Sequence, residues 1–188
     1  MKIINWKNKE AVKVAVKVIN NGGILVYPTD TIYGFGVNAK DPIAINKLNS
    51  LKKRTGPISV IAPDRGTVST WLNVKEGEKL RAASYLDVQN TIIYPVKKNI
   101  VHNKIMGPNS TLGIRIPDHP FCKLIANLCT APITTTSVNR TGEPPRNNVD
   151  EILNSFPTEI DLIIEDGDLV NSASKIYIYT MDGLKKIR

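Results

Sequence analysis

The sequence predicts an α/β protein, a single-domain twisted open sheet of mixed parallel and antiparallel strands flanked by helices. Two observations predict this class. Helix and strand patterns alternate along the first part of the chain, and strand patterns accumulate towards its end. The length of 188 residues allows one sizeable core, and no stretch has the composition of a linker. We therefore expect residues 1–188 to form one domain.

Apolar spacing and cap residues predict the elements of the first half. Asn8 is a candidate cap before a helical repeat, Asp41 followed by Pro42 is typical of a second helix start, and Asp64 can cap a third. In chain order the predicted elements are a helix over 8–20, a strand over 24–27, a helix over 41–51, a strand over 58–62, a helix beginning at Asp64 and a helix over 76–85.

Strand patterns outnumber helix patterns in the second half. A polar loop with glycine and proline separates the first two of these strands, and Asn148 or Asp150 can begin the last helix. The predicted elements are strands over 91–94 and 111–116, a helix over 118–128, a strand over 132–136, a helix ending near 156, and strands over 162–164, 176–180 and 184–187.

Residues 28–36 are expected to form an exposed loop that follows the first buried strand. Thr29, Asp30 and Thr31 offer hydroxyl and carboxylate groups beside free amides, and Gly34 and Gly36 would permit positive φ and close approach to a ligand. A polar turn without a ligand has a similar composition, so this loop by itself leaves both interpretations open.

Charge and composition limit the classes of function. The net charge of +8 and the pI near 9.5 favour contact with the phosphates of a nucleotide or of RNA, although most lysines could form a solvated surface. No apolar run approaches the roughly 20 residues of a bilayer crossing, and the amino terminus lacks a secretory apolar stretch. We therefore expect a cytoplasmic protein without membrane contact.

The cysteines and histidines indicate no metal site. Cys122 and Cys129 lie on nearly the same face of one predicted helix, which is typical of two reduced core thiols. His102 and His119 are far apart, there is no CxxC, and His119 before Pro120 suits a capping or surface role. The chain also lacks a GxxxxGK[ST] loop, so a bound nucleotide would be held without one.

Four polar clusters stand at the ends of predicted strands or helices. Because loops at one edge of an open α/β sheet converge on a crevice, we expect the four clusters to meet at one site. They are residues 29–33, residues 52–54 with Ser59, residues 111–115, and residues 135–139.

The cations of these clusters suit anionic ligands. Lys52 and Arg54, both expected to be exposed, suit the distributed charge of a triphosphate, although a solvated helix end would also carry such cations. Arg115 interrupts an apolar strand, where it must face solvent or meet an anion such as a carboxylate. Ser137 and Asn139, two residues apart, would point the same way and can donate to phosphate or ribose oxygens.

Four motifs in register resemble the YrdC-like threonylcarbamoyl-adenylate synthases, over about residues 22–174. The motifs are PTDTIYG at 28–34, KKR at 52–54, LGIRIPDHP at 112–120 and TSVNRTGEP at 136–144. The resemblance implies the YrdC-like fold and a nucleotidyltransferase that forms threonylcarbamoyl-adenylate and pyrophosphate from ATP, L-threonine and bicarbonate, with Mg²⁺ carried by ATP. It also implies a downstream transferase complex that moves the threonylcarbamoyl group to the adenosine beside the anticodon of certain tRNAs.

The resemblance also implies the roles of individual residues. Lys52 and Arg54 match the catalytic cations at the nucleotide phosphates, with Thr111, Ser137 and Asn139 on the same ATP-binding side. The positions that match the threonine-binding side are Thr29, Thr31, Ser59, Arg115, Thr135 and Ser174. Placement and charge neutralisation would drive this reaction without a covalent protein intermediate, and no protein metal ligand is expected.

The chain departs from the family pattern at three places. The loop after Arg54 is about two residues shorter, Val138 stands where the family has alanine, and Lys175 stands where threonine is common. Together with the net charge, the short loop leaves open a non-catalytic RNA-binding module of the same fold, for tRNA or rRNA. A third interpretation is a related carbamoyl-transferring domain of the kind embedded in a much larger chain.

Overall fold

The computed structural model describes all 188 residues and contains one continuous sheet of ten strands. The strands are β1 (Lys2–Asn5), β2 (Leu25–Tyr27), β3 (Gly34–Gly36), β4 (Ser59–Ile61), β5 (Asn90–Pro95), β6 (Thr111–Arg115), β7 (Ile133–Ser137), β8 (Leu162–Glu165), β9 (Lys175–Thr180) and β10 (Gly183–Lys186). The helices are α1 (Ala11–Asn20), α2 (Pro42–Lys52), α3 (Arg65–Trp71), α4 (Lys79–Ser84), α5 (Pro120–Leu128) and α6 (Val149–Ser155).

The strands lie in the order β1-β8-β2-β3-β7-β4-β6-β5-β9-β10. Four neighbouring pairs are parallel, namely β1 with β8, β8 with β2, β4 with β6, and β5 with β9. The other pairs are antiparallel, and β7 joins the two halves of the sheet because it pairs with β3 on one side and β4 on the other. The predicted open sheet of mixed direction is confirmed.

The two faces of the sheet carry separate cores. Since successive strand residues point to opposite faces, Val26 belongs to a cluster of 30 buried residues while Leu25 and Tyr27 belong to a second cluster of 13. The smaller cluster is covered by α1 and α5, which contact each other. No helix combines the length and the apolar character that crossing a bilayer requires.

Three predicted helix caps are confirmed, whereas some of the predicted helices have different bounds. Asp41, Asp64 and Asn148 each accept a hydrogen bond from a first-turn amide, as predicted. The first helix begins at Ala11 instead of residue 8, because Asn8 uses its Oδ1 to accept from the Glu10 amide at 2.9 Å in a turn before the helix. The predicted helix over 76–85 is divided into the 3-10 turn Glu76–Glu78 and α4.

The prediction that both cysteines lie within one helix is wrong for Cys129. Helix α5 ends at Leu128, and Cys129 follows it in an extended conformation. Both thiols are free, and the buried Cys122 Sγ lies 3.1 Å from the Pro28 carbonyl oxygen. His119 caps the start of this helix, because its Nδ1 accepts from the Phe121 amide at 3.1 Å, which confirms its capping role.

Two strands were not predicted, and one of them lies in the expected exposed loop. Strand β1 is an edge strand that pairs parallel with β8, and β3 returns antiparallel beside β2. The prediction of an exposed loop over residues 28–36 is wrong, because every residue there is buried except Asp30, which is partly buried. Gly34 and Gly36 do not have positive φ.

Gly36 is explained by close packing instead. A Cβ built there would lie 2.8 Å from Tyr27 Cε1 and 2.9 Å from Ile133 Cγ2, so alanine must displace two core side chains. We expect Gly36→Ala to lower the free energy of unfolding by about 1–3 kcal/mol in denaturant titration. Gly77→Ala is the control, because nothing lies within 4 Å of a Cβ there, and it should be neutral or slightly stabilising. Equal stability of both variants would contradict the packing argument.

Candidate functional site

A cavity of about 780 Å³ lies over the middle of the sheet, and every predicted site residue lines it. The expectation that the four clusters meet is confirmed. The predicted residues in its wall are Thr29, Thr31, Lys52, Arg54, Ser59, Thr111, Arg115, Thr135, Ser137, Asn139 and Ser174. The volume lies within the range of small-molecule sites in proteins.

Strand pairing brings these side chains together. Ser59 on β4 lies directly opposite Thr135 on β7, and Ser137 on β7 lies opposite Gly34 on β3. Directly opposed residues of antiparallel strands point to the same face of the sheet, so the Ser59 and Thr135 side chains lie together on the sheet surface that forms the floor of the cavity. Arg115 enters at the end of β6, opposite Ile61 of the parallel neighbour β4.

The threonine loop forms a buried wall of the cavity. The Thr29 hydroxyl donates to the Ile32 carbonyl oxygen at 2.7 Å and accepts from the Thr31 amide at 3.1 Å. Because its proton is used in this way, the Thr31 hydroxyl, 2.9 Å away, must donate to it. Thr29 therefore shapes the loop, while Thr31 keeps lone pairs for other partners.

Arg115 is 5% exposed, and its Nε has no hydrogen-bond partner in the protein. Its Nη2 donates to Asp30 Oδ1 at 2.5 Å and its Nη1 donates to Thr31 Oγ1 at 3.2 Å, whereas Nε has no partner in the protein. The expectation that this arginine meets an anion is confirmed, and the anion is the Asp30 carboxylate of the protein itself, which neutralises its charge. The Nε–H is a buried donor without a partner, and Arg115 is one of the residues that line the cavity.

Lys52 is 2% exposed, so the prediction that it is exposed is wrong. Its ammonium donates to the Ser137 carbonyl oxygen at 2.5 Å and to the carbonyl oxygen and Oδ1 of Asn139 at 2.8 and 3.0 Å. These three bonds use its three protons and fasten α2 to the end of β7. Burial, with a smaller contribution from the Arg54 charge, lowers the pKa of Lys52 to about 8.

Arg54 is partly buried and holds the short loop that follows it. Its Nη2 donates to the Pro57 carbonyl oxygen at 2.6 Å, which is its one hydrogen bond within the protein. Burial lowers the pKa of its guanidinium from the ordinary value. Lys53 separates the two cations at the helix end with a φ of 52°, and its side chain is exposed. The remaining Arg54 donors are available to a ligand.

The segment after β7 is attached to the end of α2. Thr141 donates its amide and its hydroxyl to the Lys52 carbonyl oxygen, both at 3.0 Å, and Arg140 donates to the Leu51 carbonyl oxygen at 2.8 Å. Ser137 Oγ lies 2.6 Å from Asn139 Oδ1. These bonds satisfy carbonyl groups that a helix end leaves unpaired, and they hold Ser137 and Asn139 in the cavity wall.

Sequence reasoning missed two contributors to the site. Arg188 was not singled out from the other cations, but it lines the cavity and donates from Nη2 to the Ser174 carbonyl oxygen at 3.2 Å. Asp30 was noted in its loop but was not linked to Arg115. No local signal identifies either residue, since the Asp30 and Arg115 partners lie 85 positions apart.

The histidines lie elsewhere. His119 Nε2 is 3.1 Å from Asp166 Oδ2, and neither histidine lines the cavity. The structure contains no group of three or more His, Cys, Asp or Glu side chains that could hold a metal ion.

Comparison with known proteins identifies similar sequences along nearly the whole chain. The family model Sua5_yciO_yrdC, described as telomere recombination, matches residues 17–188. A threonylcarbamoyl-AMP synthase of Coxiella burnetii is 30% identical over 163 residues, which cover 83% of this chain and 85% of that protein. The threonylcarbamoyl-AMP synthase of Hydrogenovibrio crunogenus is 28% identical over 183 residues, covering 94% and 96% of the two chains.

Comparison of structures gives the same fold. P. abyssi Sua5, solved in complex with L-threonine, superposes with a TM-score of 0.87 at 23% identity. The superposition covers 100% of this chain and 57% of that Sua5 chain, so the chain spans a little over half of the longer protein.

Proposed function

Because the chain belongs to the Sua5/YciO/YrdC family, we propose that it is a threonylcarbamoyl-AMP synthase, which joins ATP, L-threonine and bicarbonate to give threonylcarbamoyl-adenylate and pyrophosphate. One observation in the site carries this proposal. The cavity is lined by a buried arginine that has N–H groups without a protein partner, together with hydroxyl groups and further cations. Such a donor requires an acceptor, and an amino-acid carboxylate supplies one.

The threonine end of the cavity lies around Arg115. In this proposal the N–H groups of Arg115 that have no protein partner donate to the substrate carboxylate, and the hydroxyl groups around Arg115 contact the rest of the amino acid. Those hydroxyl groups belong to Thr31, Ser59, Thr135 and Ser174, with Thr29 setting the shape of the wall.

The nucleotide end lies around Arg54. Arg54 and Arg188 are the cations with donors left for phosphate oxygens, and both line the cavity. Lys52 contributes its charge to the same end, while its N–H groups hold Ser137 and Asn139 in place. Thr111, Ser137 and Asn139 complete this side and offer polar groups to the nucleotide.

The chemistry requires close approach of two anions. The bound ammonium of threonine first loses one proton to solvent, and the neutral amine attacks the bicarbonate carbon. A second amine proton leaves with the bicarbonate hydroxyl as water, and the resulting carbamate oxygen attacks the α-phosphorus of ATP as pyrophosphate departs. Cations on both sides of the cavity offset the repulsion between carbamate and phosphate, and Mg²⁺ bound to ATP adds to this effect. The protein thereby acts as a nucleotidyltransferase through placement and charge, without a nucleophilic side chain.

The adenylate must be consumed by a second protein. We propose that a threonylcarbamoyl transferase complex moves the group to tRNA, beside the anticodon, and that both steps occur in the cytoplasm, where ATP and tRNA are present. Pyrophosphate release measured with ATP, bicarbonate, Mg²⁺ and varied threonine tests the first step. Release that depends on threonine is the expected result. Binding of tRNA or rRNA without any pyrophosphate release would contradict the proposal and favour an RNA-binding module.

The lowered pKa of Lys52 predicts a pH dependence of turnover. Below pH 8 the folded protein keeps the ammonium charged, so kcat should fall as pH rises through about 8 and this charge is lost. Lys52→Met should reduce kcat and remove this descending limb from the pH–rate profile. A wild-type profile that is flat from about pH 7 to pH 10 would contradict this assignment.

The lowered pKa of Lys52 has the opposite effect on the free energy of unfolding, which should rise with pH while kcat falls. The pKa of Lys52 is 10.5 for an ordinary, solvated lysine and about 8 in the folded protein. Between about pH 8 and pH 10.5 the unfolded chain therefore binds more protons than the folded chain. The free energy of unfolding should therefore rise with pH in this window, by on the order of 1–3 kcal/mol relative to Lys52→Met. Denaturant titration of both proteins at about pH 7.5 and pH 10.5 measures the difference.

A further inference from the structure

The guanidinium of Arg115 is fixed by one carboxylate. Asp30 Oδ1 accepts from Nη2 at 2.5 Å, and the two side chains are 8% and 6% exposed, so the pair is buried. Thr31 Oγ1 accepts from Nη1, the neighbouring nitrogen of the planar guanidinium. Each Nη nitrogen therefore has one protein partner, whereas Nε has none.

Asp30 is itself held from two directions. Its Oδ2 accepts from the backbone amide of Gln89 at 3.1 Å, and its carbonyl oxygen lies 3.3 Å from Asn171 Nδ2. Gln89 lies in the turn before β5 and has a φ of 59°. Both carboxylate oxygens are therefore occupied, and Asp30 itself does not line the cavity.

The pair sets the charge of this end of the cavity. An uncompensated buried arginine attracts any anion, because leaving a charge unpaired in the interior is costly. With Asp30 beside it, Arg115 contributes a directed N–H without net charge. A ligand that carries a carboxylate and an ammonium has no net charge and suits this arrangement, whereas a simple anion leaves an excess negative charge.

From these contacts we infer that Asp30 is a positioning and specificity-determining residue, which acts through Arg115 to restrict the threonine end of the cavity to zwitterionic amino acids. This inference rests on the proposed function. It assigns Asp30 no contact with substrate. Its effect is to hold the Arg115 guanidinium in its place in the cavity wall and to prevent simple anions from pairing with it.

The test compares Asp30→Asn with the wild-type protein in pyrophosphate release and in calorimetric binding of threonine. Asparagine keeps the size and one acceptor but removes the charge. We expect the threonine KM to rise about tenfold or more and the ATP KM to stay within about twofold. We also expect chloride to become a competitive inhibitor against threonine in the variant, with no such competition in wild type. Glu78→Gln is the control, since it removes the carboxylate of an exposed Arg81 pair, and it should change none of these values.

The outcomes separate the inference from the proposed function. Suppose that the wild type is active. If the threonine and ATP KM values of Asp30→Asn are then unchanged, or rise equally without chloride competition, the inference alone is overturned. A wild type without threonine-dependent pyrophosphate release would overturn the proposed function and the inference with it. If Asp30→Asn does not fold, Asp30→Glu serves, because it keeps the charge but displaces the fork. It should raise the threonine KM without chloride competition, and an unchanged threonine KM would overturn the inference.

Discussion

Arg115→Met is expected to reduce threonine-dependent turnover at least about 100-fold and to lower the free energy of unfolding by about 3–5 kcal/mol. Both effects have one cause. The substitution removes the unpaired N–H offered to the substrate carboxylate, and it leaves the Asp30 carboxylate buried without its cation. Steady-state pyrophosphate release and denaturant titration measure the two losses. Turnover near the wild-type value would exclude Arg115 from the site.

A double variant separates these two effects. Asp30→Asn combined with Arg115→Met removes both charges, so no uncompensated charge remains in the interior. We expect most of the lost stability to return while turnover stays low. Recovery of turnover together with stability would mean that the single variant fails only because it is unstable, and that Arg115 has no part in binding the amino acid.

Arg54→Ala is expected to reduce turnover by about 10²–10³-fold, the range found when one charge-stabilising donor is removed from an active site. The fold should persist, because the side chain is partly exposed and makes one hydrogen bond, to the Pro57 carbonyl oxygen. The loss should appear in the dependence on ATP more than in the dependence on threonine, since Arg54 belongs to the nucleotide end.

Lys98→Ala is the matched control for Arg54→Ala. Lys98 is an exposed cation that does not line the cavity, so its loss lowers the net charge equally. We expect unchanged turnover. If both variants lose activity to the same extent, the effect reflects overall charge, and Arg54 is not specific to the nucleotide. If neither loses activity, the assignment of Arg54 is wrong.

Local patterns predicted most elements of the fold. Caps such as Asp41 and Asp64 act within a few residues of the helix they begin, so the sequence near them is sufficient. Strand β1 was missed because its pairing with β8 involves residues far away in the chain. Strand β3 was missed because its two glycines suggest a turn, although Gly36 is explained by the close packing of Tyr27 and Ile133.

The sequence by itself determined which polar side chains stand at the ends of strands, and from this the meeting of the four clusters in one cavity followed. Strand alternation and the geometry of open α/β sheets act on short segments, and for this reason they can be recognised in the chain. These local patterns do not show which groups each side chain contacts in the folded protein.

Only the tertiary structure decided which groups remain free for a ligand. Lys52 was expected to be exposed but gives its protons to residues about 85 positions away, and Arg115 is neutralised by Asp30. Arg188 lines the cavity and donates to the Ser174 carbonyl oxygen. These are contacts between distant segments, and they depend on how the strands are ordered in the sheet. Residue type and spacing do not encode that order locally, so the charge and the free donors of the site could be established only after the chain was folded.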